Sequence, residues 1–137
     1  MDKDKSSDDA LITAAIQAMA NAYAPYSQFH VGAAIEDENG QIHIGVNVEN
    51  AAYPNGTCAE AGAISALIQA GGRRIIRIAV AGRGPDLCTP CGGCRQRIRE
   101  FASLDTPILI CDEQGLRQVF SLDMLLPSSF GPENLKL

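Results

Sequence analysis

Thr57-Cys58-Ala59-Glu60 and Pro90-Cys91-Gly92-Gly93-Cys94-Arg95-Gln96 are the stretches whose reading decides the fold. Each opens a helical segment. Residues 58–69 are apolar and alanine-rich and close on Gly71-Gly72, the pattern of a buried helix with a glycine stop. Residues 92–101 read as a second helix. Cys58 stands at the start of the first, and Cys91 and Cys94, three apart, stand at the start of the second. Two such helices meeting end to end make a cup of three thiolates. Zinc takes four tetrahedral ligands, and a catalytic zinc takes three from the protein and leaves the fourth position open. Three cysteines with a spare carboxylate, Glu60, therefore read as a hydrolytic zinc site.

Outward from these helices, residues 6–23 predict another helix. Leu11, Ala15, Ala18, Met19 and Ala22 recur at three- and four-residue steps. Ser6 or Ser7 is the expected cap, with Asp8 and Asp9 in the first turn, and Ala24-Pro25 is the expected stop. Residues 29–35 and 41–48 predict two strands joined through the turn signal Asn39-Gly40. Further strands are expected over residues 74–82, 106–111 and, at an edge, 114–120, with a last helical turn over 121–126. Strands alternating with helices after an opening hairpin predict an α/β fold, a mixed sheet with helices on both faces. One domain over residues 1–137 accounts for all of it, with about residues 1–6 expected to be disordered.

The chain has 137 residues, 46% hydrophobic and 20% charged, with a net charge of −5 and an isoelectric point near 4.9. This acidic balance speaks against a nucleic-acid partner. Arg73, Arg74 and Arg77 fall at a helix-to-strand turn and read as a solvated connection. Residues 1–9 are polar and charged, neither a secretory leader nor a membrane span. Five cysteines in that context favour a reducing, cytoplasmic setting and metal binding over disulfides. His30 and His43 lie on the hairpin strands and read as surface or packing residues. Cys111 reads as an inert core thiol.

Helix N-termini lower a cysteine pKa and favour the thiolate that zinc requires. Two structural readings stand beside the hydrolytic one. Cys88, Cys91 and Cys94 are evenly spaced, and Cys58 would complete a closed four-cysteine site. Glu60 would then serve only the helix dipole. Against this, Glu60 is the one ionisable group on the apolar run from Ala59 to Leu67, placed to move protons beside a metal.

The combination resembles the small three-cysteine cytidine deaminases. It fits the general zinc-deaminase signature of His or Cys, x, Glu, then Pro-Cys-x-x-Cys. Pro25-Tyr26-Ser27-Gln28-Phe29-His30-Val31-Gly32-Ala33-Ala34 is similar to the family's entry segment. Asn47-Val48-Glu49-Asn50-Ala51-Ala52-Tyr53-Pro54 is similar to its ribose-binding segment, and residues 125–135, with Phe130-Gly131-Pro132-Glu133, to its C-terminal segment. The resemblance implies a three-layer sandwich, a five-stranded mixed sheet between helices. It implies a hydrolase of pyrimidine salvage that removes the 4-amino group of cytidine or 2′-deoxycytidine. Zn2+ held by Cys58, Cys91 and Cys94, one per subunit, would activate water, and Glu60 would shuttle protons. Asn47 and Glu49 would hold a ribose hydroxyl, Phe29 would stack on the ring, and Tyr26 and Ala59 would also touch the substrate. Phe130 would reach into a neighbouring subunit's pocket and Tyr53 would lie near a subunit contact, which implies a homotetramer with composite sites.

The chain departs from the family at one position. Cys-Ala-Glu is usually followed there by arginine, and here by Ala61. Zinc's two positive charges against three thiolates leave a net negative core. The expected compensators are the two helix N-termini and Arg95, beside Cys94. Ala61 is also compatible with the blasticidin S deaminases, which act on a cytosine-bearing antibiotic. A non-catalytic zinc protein or nucleoside binder is the alternative of another class. No basic stripe supports the polynucleotide-editing branch.

Overall fold

The structure, a computed structural model, describes the backbone of residues 3–136 and the side chains of residues 8–136. Helix α1, Lys3–Ala18, precedes the hairpin β1, Val31–Asp37, and β2, Ile42–Val46. Helix α2, Ala59–Gln69, leads into β3, Ile75–Gly82, and helix α3, Gly92–Phe101, into β4, Pro107–Asp112. Strand β5, Gly115–Ser121, and the short α4, Leu122–Leu125, follow. The strands form one sheet in the order β2-β1-β3-β4-β5. Only β3 and β4 run parallel, joined by the α3 crossover; the other pairs are antiparallel. This is the expected five-stranded mixed sheet between helices.

Alternation along the strands separates the two helical layers. Ala33, Ile35, Ile78, Val80 and Ile110 face one side and pack with Leu67 of α2 and Ile98 of α3. Ala34, Ala79, Ala81 and Leu109 face the other and pack with Leu11 and Ala15 of α1. Burying each leucine or isoleucine contributes about 1.5–3 kcal/mol, so both layers are held chiefly by apolar burial. The layer holding α2 and α3 is the one that brings the cysteine-bearing helix starts together.

Several boundaries differ from the sequence reading. Helix α1 stops at Ala18 and passes into a 3-10 turn, Met19–Asn21, five residues ahead of Tyr23. Tyr23 is extended instead: its N–H donates to the Asn47 carbonyl, and its own carbonyl accepts from Glu49 N–H. Helix α1 starts at Lys3, ahead of the serines expected to cap it, and Asp8 pairs with Arg77 at 2.7 Å. Ser6 and Ser7 thus fall inside α1 and are not its N-cap; residues 1 and 2 of the stretch expected to be disordered, and the side chains of residues 1–7, lie outside the described residues. Arg77 also meets Glu36 at 2.9 Å, and Arg73 donates to the Ile68 and Gly72 carbonyls at the end of α2. These two arginines are therefore structural ties rather than a solvated connection. No described helix is long and apolar enough to cross a membrane.

Strand β1 runs two residues past its expected end because Asp37 turns into the core, 2% exposed. Its carboxylate accepts from Asn39 N–H at 2.8 Å and Gln41 N–H at 3.0 Å and bonds His43 Nε2 at 2.8 Å. His43 is thus a packing residue. The His43 bond, ahead of the two backbone donors, holds the Asp37 carboxyl below its ordinary value despite the opposing effect of burial. A depressed carboxyl stabilises the fold fully above its unfolded pKa, and that contribution is lost as pH falls through the folded value. Asp37→Asn should therefore lower unfolding free energy at pH 7 by about 2 kcal/mol. The gap from the parent should narrow below about pH 4 in urea titrations. A gap that persists unchanged in acid would refute the assignment.

Candidate active site

Both cysteine-bearing helices begin at the same end of the sheet. Cys58 immediately precedes α2 and Cys91 immediately precedes α3, each extended, and Cys94 is buried in the first turn of α3. The Sγ atoms of Cys58, Cys91 and Cys94 all lie within 4.8 Å of one another, and Cys58 and Cys91 approach to 3.9 Å. Tetrahedral zinc with bonds of about 2.3 Å sets its sulfurs about 3.8 Å apart, so the three thiols fit this metal. Cys88 is not part of the group. It packs against Gly82 and lines the adjoining cavity, so the described cysteines form a three-ligand set rather than a closed four-cysteine site.

The thiols differ in acidity. The N–H of Cys94 bonds the Cys91 sulfur and holds that thiol below its ordinary pKa, the effect expected of a helix start. Burial outweighs it at Cys58 and Cys94, which are pushed up. Burial also raises Cys88 and Cys111, each to about 11. Zinc uptake must displace protons from such thiols, so affinity rises with pH.

Glu60 is 5% exposed and lies in the first turn of α2. Burial pushes its carboxyl upward, with the Cys94 thiol and the Arg97 charge pulling the other way. A cavity of about 630 Å³ opens beside it, within the range of small-molecule sites. Tyr26, Phe29, Asn47, Glu49, Ala59 and Tyr53 line it, together with Cys58, Glu60 and Cys91. The sequence-predicted substrate residues are thus brought together, except Phe130, which is not in the lining of this chain's own cavity.

Asn47 and Glu49 lie past the end of β2, not on it, yet both face the cavity. They hold the loop that carries Phe29. Asn47 accepts from Val31 N–H at 2.9 Å and donates to the Phe29 carbonyl at 2.8 Å. Glu49 accepts from the backbone N–H groups of Tyr26 and Ser27 at 3.0 and 3.2 Å, and from the Ser27 hydroxyl. The Ser27 hydroxyl is the main reason its carboxyl sits below the ordinary value. These bonds support Gln28 in the left-handed region, φ 62°, a conformation unfavourable for a residue with a side chain.

Arg95 is placed differently from expectation. Its guanidinium donates to the Pro90 and Leu125 carbonyls, both at 2.7 Å, and to the Thr89 hydroxyl at 3.2 Å, and, among the described residues, to no thiol. Adjacent helix residues point in different directions, whereas residues three apart share a face. Arg97, three after Cys94, donates from Nη1 to the Cys94 sulfur at 3.7 Å. The sequence reading missed Arg97, and the i, i+3 spacing is the signal that would have found it.

The C-terminal segment is clamped from α3. Gln96 donates to the Phe130 carbonyl at 2.8 Å, and Arg99 reaches the Ser129 hydroxyl at 2.9 Å and Glu133 at 2.8 Å. The Phe130 ring is left 57% exposed.

A mixed sheet with two helix starts converging on three thiols and a buried glutamate defines a zinc-deaminase architecture. The family model for the cytidine and deoxycytidylate deaminase zinc-binding region matches residues 5–109. The chain belongs to this family. It is 39% identical over 125 residues to the cytidine deaminase of Halalkalibacterium halodurans, covering 91% of this chain and 95% of that one. It is 39% identical over 121 residues to the cytidine deaminase of Mycobacterium tuberculosis, covering 88% and 87%. The crystal structure of cytidine deaminase from Burkholderia pseudomallei superposes with a TM-score of 0.84 at 41% identity, covering 89% of this chain and 98% of that one.

Proposed function

We propose that this chain is a zinc-dependent hydrolase that converts cytidine and 2′-deoxycytidine to the corresponding uridines with release of ammonia, a reaction of pyrimidine salvage. The observation that carries the reading is Glu60, buried at the base of a nucleoside-sized cavity beside three thiols matched to zinc. A zinc ion held by Cys58, Cys91 and Cys94 would supply the Lewis acid that makes water nucleophilic near neutral pH.

The residues of the chain divide the remaining work. Phe29 offers an aromatic face to the pyrimidine, and Asn47 and Glu49 fix the loop bearing it while presenting polar edges to the sugar. Ala59, small and buried beside Glu60, leaves room for the reacting edge of the ring. Water adds at C4, and Glu60 takes its proton and passes it to ring N3. Glu60 then carries the proton of the new C4 hydroxyl to the amine, the C4–N bond breaks as the C4 carbonyl forms, and ammonia leaves. A carboxyl whose pKa burial has raised is suited to both taking and returning a proton.

A homotetramer with composite sites completes the reading. Tyr26, Phe29, Val48 and Tyr53 leave a large apolar rim exposed at the cavity mouth, and Phe130 is held outward by α3. Exposed apolar surface of this kind marks an association face. The test follows ammonia release from cytidine, deoxycytidine, free cytosine and blasticidin S, with sedimentation to give the assembly. Turnover of both nucleosides by a four-subunit species is expected. Turnover of blasticidin S alone, or of none, would overturn the substrate reading.

A further inference from the structure

Three thiolates and zinc carry one net negative charge, and the Glu60 carboxylate lies beside them. Each thiolate formed beside other negative charges is costly unless a cation or N–H dipole offsets it. Residue 61, next to Glu60, is alanine, and Arg95 is bound to three oxygens. Among the described residues, the guanidinium recorded on a ligand sulfur is that of Arg97, through Nη1 to Cys94. Its charge also acts on Glu60.

The local sequence makes room for this contact. Arg97 lies one helical turn beyond Gly93, which with Gly92 separates Cys91 from Cys94. A Cβ on residue 93 would stand 3.0 Å from Arg97 Nη1 and 3.9 Å from its Cζ. The guanidinium therefore lies over the bare backbone of Gly93, in the space a side chain there would take. Helical i, i+3 geometry then sets it against Cys94 and not against solvent alone.

We infer that Arg97 is the positioning residue that neutralises the Cys94 thiolate and retains zinc, the task that neither Ala61 nor Arg95 performs in this chain. A partner that donates to a ligand atom from outside the coordination sphere is typically worth 10–100-fold in metal affinity or activity. Arg97 is exposed as a residue, so screening places it at the lower end.

The inference rests on the zinc reading, and the experiment separates the two. Zinc content of the purified parent protein is measured first; a parent without stoichiometric zinc overturns both. Release of zinc to a competing chelator is then timed for the parent, Arg97→Leu and Arg97→Lys, with thermal melts of each. Arg97→Leu should lose zinc about tenfold faster, and Arg97→Lys should stay within about threefold of the parent, because it keeps the charge. Parent-like retention in Arg97→Leu would overturn the inference alone. So would a lysine variant as leaky as the leucine one, which would make the role packing rather than charge. Gly93→Val, whose side chain would take the guanidinium's space while residue 97 stays arginine, should also release zinc faster than the parent; unchanged release would count against the proposed placement.

Discussion

Glu60→Gln is expected to reduce kcat/KM for cytidine by about 10³- to 10⁴-fold while the protein keeps one zinc per chain. The amide preserves the volume of a side chain only 5% exposed, so α2 and the Cys58 ligand it carries stay in place. What the amide cannot do is accept a proton from water and return it to the substrate. Removing a charge from a buried position also relieves its desolvation, so the melting temperature should hold or rise. Zinc analysis, ammonia release and a thermal melt on one preparation test this. Undiminished turnover would exclude Glu60 as the proton carrier. Loss of zinc with loss of activity would instead make Glu60 part of the metal's support. A parent protein that binds cytidine without turnover would favour the non-catalytic alternative.

The parts of the fold that were legible in the sequence are those set by local periodicity. Helix α3 spans Gly92–Phe101, as its sequence predicts, and α2 closes where Gly71 takes φ 95°. The thiol cup follows from these two helix starts, because cysteine spacing and helix geometry together place the sulfurs. What was not legible depends on partners distant in the chain. Tyr23 leaves its helical pattern because the backbone around Asn47 offers it a ladder. Asp37 and His43 pair inside a hairpin whose alternation alone reads as one face in and one face out. Phe130 is aimed by Gln96 and Arg99, more than thirty residues earlier. On a helix the neighbour of Cys94 in space is the residue three positions on, so the guanidinium that bonds its sulfur is that of Arg97, a proximity that adjacency in sequence does not show.

Gly45→Ala is expected to lower the melting temperature by about 10 °C and, with it, zinc affinity. A Cβ at position 45 would stand 2.2 Å from Ala63 N, 2.4 Å from the Ala59 carbonyl oxygen and 2.7 Å from Gly62 C. These are backbone atoms of α2, so no side-chain rotation relieves the clash and the helix must move off β2. Overpacking of this kind costs up to about 3 kcal/mol, each worth about 3–4 °C for a domain of this size. The displacement matters for chemistry because α2 begins at the metal cup, while Cys91 and Cys94 stand at the start of a different helix, α3. Moving α2 alone shifts Cys58 and Glu60 relative to the other two ligands, and zinc affinity should fall about 10- to 100-fold. Gly32→Ala provides the control. Its Cβ would stand 2.1 Å from the Ala15 carbonyl oxygen and 2.8 Å from Met19 N, an equal clash against the α1 side on the opposite face of the sheet. It should destabilise the fold comparably while zinc, once bound, is released at the parent rate. If both variants lose zinc alike, metal retention tracks global stability. If only Gly45→Ala does, the close approach of α2 to β2 is what sets the ligand geometry.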